Sequence, residues 1–207
     1  APEAPLLDKR EADVSVLFLD IAGYTRLSER LDPAEMNALI ERYFGSFLDE
    51  ILKRGGDVNE TAGDGLMVIF QDPEPRRHAR AAVKTALAIL RRTRETNVKL
   101  AEAGAPIVLH VGVNSGVATV GVTKIEGSTG TRWTYTASGP VTNLAARLAG
   151  LGTGEIIIVG AETRRRLDGE FPFEGLGAVP LRHLEHPVPV FRLTLPSAPV
   201  PASTAAT

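Results

Sequence analysis

Cysteine is absent from the 207 residues of the chain. Without thiols there is no disulfide bond, no thiolate nucleophile and no cysteine-ligated zinc. The same composition suits a reducing compartment, so we expect a cytoplasmic protein or the cytoplasmic domain of a larger protein.

The chain also lacks a dominant charge and a long apolar run. Its 23 Lys and Arg nearly balance 25 Asp and Glu, which gives a formal net charge of -2. Such a chain has no strong field that attracts nucleic acid or an anionic membrane. None of its apolar runs approaches the roughly 20 residues of a membrane span. We therefore expect no nucleic-acid partner and no membrane contact by this domain, and any phosphate must bind at a local site.

Neither an initiating Met nor a signal peptide is present. We expect the chain to be part of a longer protein that also carries an upstream sensor or regulatory domain. Composition divides the chain into a Pro- and Ala-rich linker over residues 1–13, a globular domain over residues 14–195 and a disordered tail over residues 196–207.

The first half of the domain alternates strand and helix patterns. An apolar run over residues 14–19 predicts a strand that is buried on both faces and ends at Asp20. Asp32, followed three residues later by Glu35, predicts a helix start with a capping box. The later patterns predict a helix stop at Gly55-Gly56, a hairpin around Gly63-Asp64-Gly65, a long amphipathic helix over residues 76–103 and a strand over residues 106–114.

The order of these elements, β-α-β-β-α-β, is that of a ferredoxin-like unit. We therefore predict an α+β fold with helices on one face of a mostly antiparallel sheet. In the second half, the patterns predict a turn at Ser115-Gly116 between two strands, an extended hairpin arm over residues 123–131, a short helix over residues 143–148, a strand over residues 155–159, a helical turn over residues 161–167 and a final hairpin of residues 181–184 with residues 188–193.

Two aspartates fall at the ends of strands that are neighbours in such a unit. Asp20 ends the first strand and Asp64 occupies the hairpin tip. Adjacent carboxylates repel each other unless a cation lies between them, and Mg²⁺ or Mn²⁺ with triphosphate oxygens as further ligands suits two carboxylates. On spacing alone, an alternative is equally good, in which Asp20 caps a helix and Asp64 forms the turn.

Three blocks of the sequence resemble the signature blocks of the class III nucleotidyl cyclases. They are Phe18-Leu19-Asp20-Ile21-Ala22-Gly23-Tyr24-Thr25, Gly63-Asp64-Gly65 and Val141-Thr142-Asn143-Leu144-Ala145-Ala146-Arg147, in the order that the family has them. The resemblance extends over residues 14–193, nearly the whole domain. It implies the cyclase fold, which contains the ferredoxin-like core and an extended hairpin arm.

The resemblance also implies a head-to-tail homodimer with two active sites, each built from both protomers. Asp20 and Asp64 would hold two Mg²⁺ or Mn²⁺ ions together with the backbone carbonyl of Ile21. From the other protomer, Asn143 would orient the ribose and Arg147 would stabilise the charged α-phosphate in the transition state. The implied reaction is attack of the ribose 3′-hydroxyl on the α-phosphorus, which closes a 3′,5′-cyclic monophosphate and expels pyrophosphate.

The two positions that would contact the base do not settle the substrate. Glu60 stands where adenylate-type members have a Lys, and it resembles the guanylate-type pattern because a carboxylate accepts hydrogen bonds from guanine. Thr136, at the companion position, both donates and accepts. Glu60 could also accept from the adenine amino group while Thr136 donates to the ring, or it could simply face solvent. Family members that use ATP are more common, so ATP is slightly favoured and GTP is a close second.

Two other departures concern the phosphates. His110 stands where many members carry an Arg on the terminal phosphates, or is simply a strand residue with satisfied hydrogen bonds, and Arg182 stands where they commonly have a Lys. In a third departure, Pro140 replaces the Asp that usually follows the loop glycine. Together with Glu60, His110 and Pro140 motivate an alternative function: a catalytically weak or inactive cyclase-homology domain that binds nucleotide or dimerises as a regulatory module. The presence of all four main side chains, Asp20, Asp64, Asn143 and Arg147, argues for the enzyme.

Overall fold

A computed structural model of the chain describes residues 9–22, 32–60, 65–100, 107–127, 130–152 and 154–195. Within these ranges the strands are β1 (Arg10–Ile21), β2 (Gly56–Glu60), β3 (Gly65–Phe70), β4 (Leu109–Gly127), β5 (Gly130–Ser138), β6 (Ile156–Gly160), β7 (Glu174–Val179) and β8 (Val188–Thr194). The helices are α1 (Pro33–Leu52), α2 (Pro75–Leu100), α3 (Pro140–Ala149) and α4 (Ala161–Arg166). None of the helices in the described ranges is long and apolar enough to cross a membrane.

The eight strands form one sheet in the order β2-β3-β1-β4-β6-β8-β7, while β5 pairs with β4 off this path. β1 runs antiparallel to both β3 and β4, and β4 runs parallel to β6. The first four strands and the helices α1 and α2 therefore form the βαββαβ unit that the sequence predicts, and the α+β class with a mostly antiparallel sheet is confirmed. The helices do not all lie on one face as predicted, since α3 packs on the face opposite α1 and α2.

β1 lies inside the sheet and supplies side chains to two buried clusters. Leu17 and Leu19 belong to the larger cluster, which also contains Phe47 of α1 and Ile89 of α2. Val14 and Val16 belong to a second cluster, which also contains residues of β3, β4, β5 and α3. Successive side chains of a strand point to opposite faces, so the two clusters lie on opposite faces of the sheet. The predicted burial of this strand on both faces is confirmed.

The start of α1 has the predicted capping box. The Asp32 carboxylate accepts hydrogen bonds from the backbone N–H groups of Ala34 and Glu35 at 2.8 and 2.9 Å, and the Glu35 carboxylate accepts from the Asp32 N–H at 3.2 Å. These bonds satisfy N–H groups that have no partner within the helix. The helix ends before Gly55, whose φ of 70° is a conformation suited to glycine.

Two sequence predictions about β1 and β4 are corrected. β1 begins at Arg10, so it includes residues 10–13, which the composition assigned to a linker. The predicted turn at Ser115-Gly116 is wrong, because β4 continues through it and pairs with β1 from Arg10↔Val120 to Ile21↔Leu109. Gly116 has a φ of 147°, which other residues rarely adopt. Glycine therefore allows the strand to pass through a distorted point without losing its ladder.

Of the two hairpins predicted for the second half of the domain, the structure confirms one and corrects the other. The extended arm is confirmed, since β4 and β5 pair from Thr119↔Ser138 to Gly127↔Gly130, with residues 128–129 outside the described ranges. The predicted hairpin of residues 181–184 with 188–193 is wrong in its first strand, because β8 pairs with β7. β7 is exposed and contains two glycines, so it lacks the apolar alternation that would reveal a strand.

A chain of buried polar side chains crosses the sheet near its centre. The Ser15 hydroxyl of β1 lies 2.8 Å from Nδ1 of His78 on α2 and 2.6 Å from the Ser115 hydroxyl of β4. Ser115 in turn lies 2.9 Å from the Thr163 hydroxyl of α4. All four side chains are buried. Since unpaired polar groups destabilise an interior, this chain fixes α2 and α4 on the sheet in one arrangement.

The far side of His78 meets charged groups. The Arg166 guanidinium binds both carboxylate oxygens of Asp13, at 2.8 and 3.0 Å, and lies 3.4 Å from Nε2 of His78. Burial lowers the pKa of His78, Arg166 lowers it further, and the carboxylates of Asp13 and Asp72 oppose the shift. His78 is therefore held as a neutral imidazole inside the fold.

We predict that stability falls as the pH drops from about 7.5 to about 5.5. The unfolded chain takes up a proton on this histidine near its ordinary pKa of 6.5, whereas the folded chain resists it, so acid favours unfolding. Thermal melts of the parent and of His78→Gln test this, and the variant should lose much of the pH dependence. His186→Gln, which changes an exposed histidine, is the control. An unchanged dependence in His78→Gln would contradict the prediction.

Candidate active site

Asp20 lies at the carboxyl end of β1, between two neighbouring strands. Its register partners are Gly65 of β3 and His110 of β4. Ile21, the last residue of β1, is 3% exposed and pairs with Leu109. The end of the central strand therefore carries a carboxylate next to a residue whose side chain is fixed in the core.

Asp64 lies outside the described residues, and its chain neighbour Gly65 is the residue that pairs with Asp20. The described part of the predicted metal site therefore consists of Asp20 and Ile21. A carboxylate and a backbone carbonyl are hard oxygen ligands of the kind that Mg²⁺ and Mn²⁺ bind, so both residues fit these ions. In the described ranges there is no group of three or more His, Asp and Glu side chains that could hold a metal by itself.

His110 meets Asp20 across the ladder between β1 and β4. Its Nδ1 lies 3.8 Å from Oδ2 of Asp20, and both side chains are partly exposed. The distance is longer than a hydrogen bond. The sequence placed both residues on strands but gave no register between them, so it predicted only a phosphate contact for His110. Only the register of β1 against β4 brings the two side chains together, and no local sequence pattern contains that register.

Asn143 and Arg147 lie on α3 with the predicted spacing of four residues. The side of the helix that packs on the protein carries Thr142, Ala145, Leu148 and Ala149, all buried, whereas Asn143 is exposed and Arg147 is partly exposed. The helix begins at Pro140, three residues earlier than predicted. Proline suits the first turn because no intrahelical partner is needed for its missing N–H, so the Pro140 departure is compatible with the helix.

A glycine in β4 allows α3 to approach the sheet closely. A Cβ atom on Gly112 would lie 2.2 Å from the backbone nitrogen of Ala149 and 2.5 Å from the carbonyl oxygen of Ala145. The Asn114 side chain, two residues further along β4, donates to the Val141 carbonyl at 3.1 Å. The sheet therefore fixes α3 at two points, and the position of Asn143 and Arg147 depends on both.

The two predicted base-contacting residues lie at β2 and β5. Glu60 is the last residue of β2 and pairs with Leu66, and its side chain is outside the described part of the structure. Thr136 lies in β5, is partly exposed and pairs with Gly121. The Asn59 side chain donates a 2.7 Å hydrogen bond to the Tyr135 carbonyl. The sequence did not predict this bond between β2 and β5.

Arg182 lies in the exposed connection between β7 and β8. The sequence placed it in the final hairpin, whose first strand is β7 and precedes this residue. Its contact with a triphosphate stays a prediction.

The chain matches one family model, described as the adenylate and guanylate cyclase catalytic domain, over residues 6–193. Among curated relatives, adenylate cyclase 1 of Rhizobium meliloti (strain 1021) is 32% identical over 141 residues, which are 67% of this chain and 21% of that protein. The adenylate cyclase of Mycobacterium tuberculosis (strain ATCC 25618 / H37Rv) is 28% identical over 182 residues, or 86% of this chain and 39% of that protein. The chain thus spans well under half the length of either relative.

Solved structures share the fold. The adenylyl cyclase CyaB from P. aeruginosa superposes with a TM-score of 0.82 at 27% identity, covering 91% of this chain and 96% of that one. The guanylate cyclase domain of RhGC from Catenaria anguillulae, solved in complex with GTP, gives a TM-score of 0.77 at 25% identity, covering 91% of this chain and 100% of that one. Proteins of both nucleotide specificities therefore resemble this chain at similar levels.

We predict that Gly112→Ala lowers the free energy of unfolding by about 3 kcal/mol, because the added methyl group would overlap backbone atoms of α3 that have no room to move. Gly150→Ala is the matched control, since its Cβ would meet only the Arg147 carbonyl, at an ordinary 3.5 Å. Urea unfolding of both variants measures the difference. Equal urea midpoints for the two variants would show that the backbone of α3 does not pack directly against Gly112.

Proposed function

Because the chain belongs to the adenylate and guanylate cyclase catalytic domain family, we propose that it converts a purine nucleoside triphosphate into the 3′,5′-cyclic monophosphate and pyrophosphate. ATP is the preferred substrate of this proposal, with GTP a close second. The observation that carries it is the end of β1, where Asp20 pairs with Gly65, the chain neighbour of the second predicted metal ligand. This arrangement occurs in a domain that matches the family over nearly its whole length.

The proposed metal ligands are Asp20, Asp64 and the backbone carbonyl of Ile21. Two Mg²⁺ or Mn²⁺ ions, when bound, would acidify the ribose 3′-hydroxyl and offset the negative charge of the phosphates. Asp20 would contribute negative charge at a fixed point, because its strand is paired on both edges.

Asn143 and Arg147 are the proposed catalytic side chains. The Asn143 amide would orient the ribose so that the 3′-oxygen faces the α-phosphorus. As the new oxygen–phosphorus bond forms and the bond to pyrophosphate breaks, the Arg147 guanidinium would donate to the non-bridging oxygens of the α-phosphate. Their common face on α3 supports this pairing. In the proposed homodimer, these two side chains and the metal ligands of one site come from different protomers.

Base recognition is assigned to Glu60 and Thr136. The adenylate cyclases among the curated relatives support ATP, whereas a carboxylate at position 60 suits the donors of guanine. We place ATP ahead because Glu60 can accept from the adenine amino group while the Thr136 hydroxyl donates to a ring nitrogen. Arg182 and His110 are proposed to contact the phosphates.

We also propose that the domain is part of a longer, cytoplasmic protein or protein region. The chain covers only 21% and 39% of the two relatives described above, which supports an upstream sensor or regulatory domain in a longer protein. A cytoplasmic location is consistent with the absence of cysteine.

We predict that Asp64→Ala and Asp20→Ala each lower cyclic nucleotide formation by about 100-fold or more, because each removes a proposed metal ligand. Asp57→Ala, which removes an exposed carboxylate of β2, is the control and should keep parental turnover. Mn²⁺ binding measured by electron paramagnetic resonance should weaken in the first two variants only. Unchanged turnover in Asp64→Ala would reject the proposed ligand set.

We predict that the purified chain with Mn²⁺ forms cyclic AMP from ATP faster than cyclic GMP from GTP at equal concentrations. Product analysis by liquid chromatography measures both rates. Faster formation of cyclic GMP would reverse the substrate assignment and give the carboxylate of Glu60 the guanine-reading role. A chain that binds nucleotide without forming either product would instead be a regulatory module.

A further inference from the structure

One hydrogen bond connects two strands that share no backbone ladder. Asn59 Nδ2 of β2 donates to the Tyr135 carbonyl of β5 at 2.7 Å, across 76 positions of the chain. Among the described residues, β2 pairs with β3 and β5 pairs with β4, and the sheet order separates β2 from β4 by two strands. The Asn59 side chain therefore connects β2 to β5, as backbone hydrogen bonds connect neighbouring strands elsewhere in the sheet.

Tyr135 is held at a second point on the same side of the sheet. Its hydroxyl accepts a 2.6 Å hydrogen bond from Nε2 of Gln71, the residue after β3. Its ring packs on the second buried cluster, which contains Met67 and Ile69 of β3. Asn59 is the register partner of Met67. Packing and hydrogen bonds thus fix β5 against the β2–β3 hairpin.

The residues that follow each end of this bond are those proposed to read the base. Asn59 directly precedes Glu60, and Tyr135 directly precedes Thr136. Two groups can bind the same purine edge only if their separation matches it, because hydrogen bonds weaken steeply outside a narrow range of distance and angle. Among the described residues β2 lies at the edge of the sheet and has β3 as its only ladder partner, so the ladder supports Glu60 on one edge only.

We propose that Asn59 is a positioning residue for purine recognition, which sets the separation of the β2 end from β5 and so aligns Glu60 and Thr136 with one base. This inference rests on the proposed function, since it assigns base reading to those two side chains. It adds that discrimination between ATP and GTP depends on a residue that does not touch the nucleotide.

The test compares Asn59→Ala with Asn97→Ala. Asn97 of α2 is also partly buried and also ties two segments through its side chain, with bonds of 2.6 and 2.9 Å to the backbone of Ile107. It lies in a different part of the fold from β2 and β5. Asn97→Ala loses two such bonds and Asn59→Ala loses one, so a change in substrate preference caused by lost stability alone would be at least as large in Asn97→Ala.

The measured quantity is the ratio of kcat/KM for ATP to kcat/KM for GTP. We expect Asn59→Ala to weaken the parental preference and move this ratio toward one by up to about tenfold, the effect of misplacing a hydrogen bond worth about 1.4 kcal/mol, while Asn97→Ala keeps the parental ratio. Tyr135→Phe, which keeps the carbonyl but loses the bond to Gln71, should give a smaller change in the same direction. If Asn59→Ala does not fold, the ratio measured for Tyr135→Phe tests the positioning role by itself.

The outcomes separate the two proposals. A parent that forms product, with an unchanged ratio in both Asn59→Ala and Tyr135→Phe, overturns the positioning role and leaves the cyclase proposal intact. A parent that binds nucleotide without turnover overturns the cyclase proposal. The ratio is then measured as the relative affinity for ATP and GTP in competition with a fluorescent nucleotide. A parent that does not distinguish the two nucleotides, or binds neither, overturns the inference itself.

Discussion

The ladder between β1 and β4 is the interaction on which the rest of the structure depends. It joins the two strands without interruption from Arg10↔Val120 to Ile21↔Leu109. One end of this ladder holds Asp20 opposite His110, and the middle contains Ser15 and Ser115 of the buried polar chain. β4 continues past the other end and pairs with β5, which leads to α3. Asp20, Thr136 and the helix that carries Asn143 and Arg147 are thus all positioned from this one pair of strands.

Close packing of backbone on backbone gives the site its second constraint. Side-chain contacts can adjust by rotamer changes, but the approach of α3 to Gly112 involves main-chain atoms of Ala145 and Ala149. Because protein interiors are close-packed, a Cβ atom at position 112 would overlap these main-chain atoms, and α3 could not lie at this distance from the sheet. The outward face of α3, with Asn143 and Arg147, is therefore positioned by close backbone packing of residues that take no part in the proposed reaction.

The sequence was sufficient where local signals and tertiary structure agree. The capping box at Asp32, the buried strand before Asp20 and the helical spacing of Asn143 and Arg147 are all confirmed as structural elements, and the family suggested by the three sequence blocks is confirmed by the comparisons. Prediction failed where long-range pairing decides: residues 10–13 are mostly charged yet belong to a ladder, Ser115-Gly116 resembles a turn yet lies inside a strand, and β7 has no apolar pattern. The bond from Asn59 to Tyr135 spans 76 positions, and no local pattern encodes such a contact.

Burial of β1 on both faces makes the location of Asp20 discrete. A slip of one residue against β3 and β4 would exchange the side chains of Leu17 and Val16 between two packed clusters. A slip of two residues would restore the faces but carry the carboxylate about 6.8 Å along the strand. No smaller displacement satisfies the hydrogen bonds on both edges. The position of Asp20 at the end of β1 is therefore fixed by the two ladders and the core. A conformational change that alters activity has to move the other components of the site relative to Asp20.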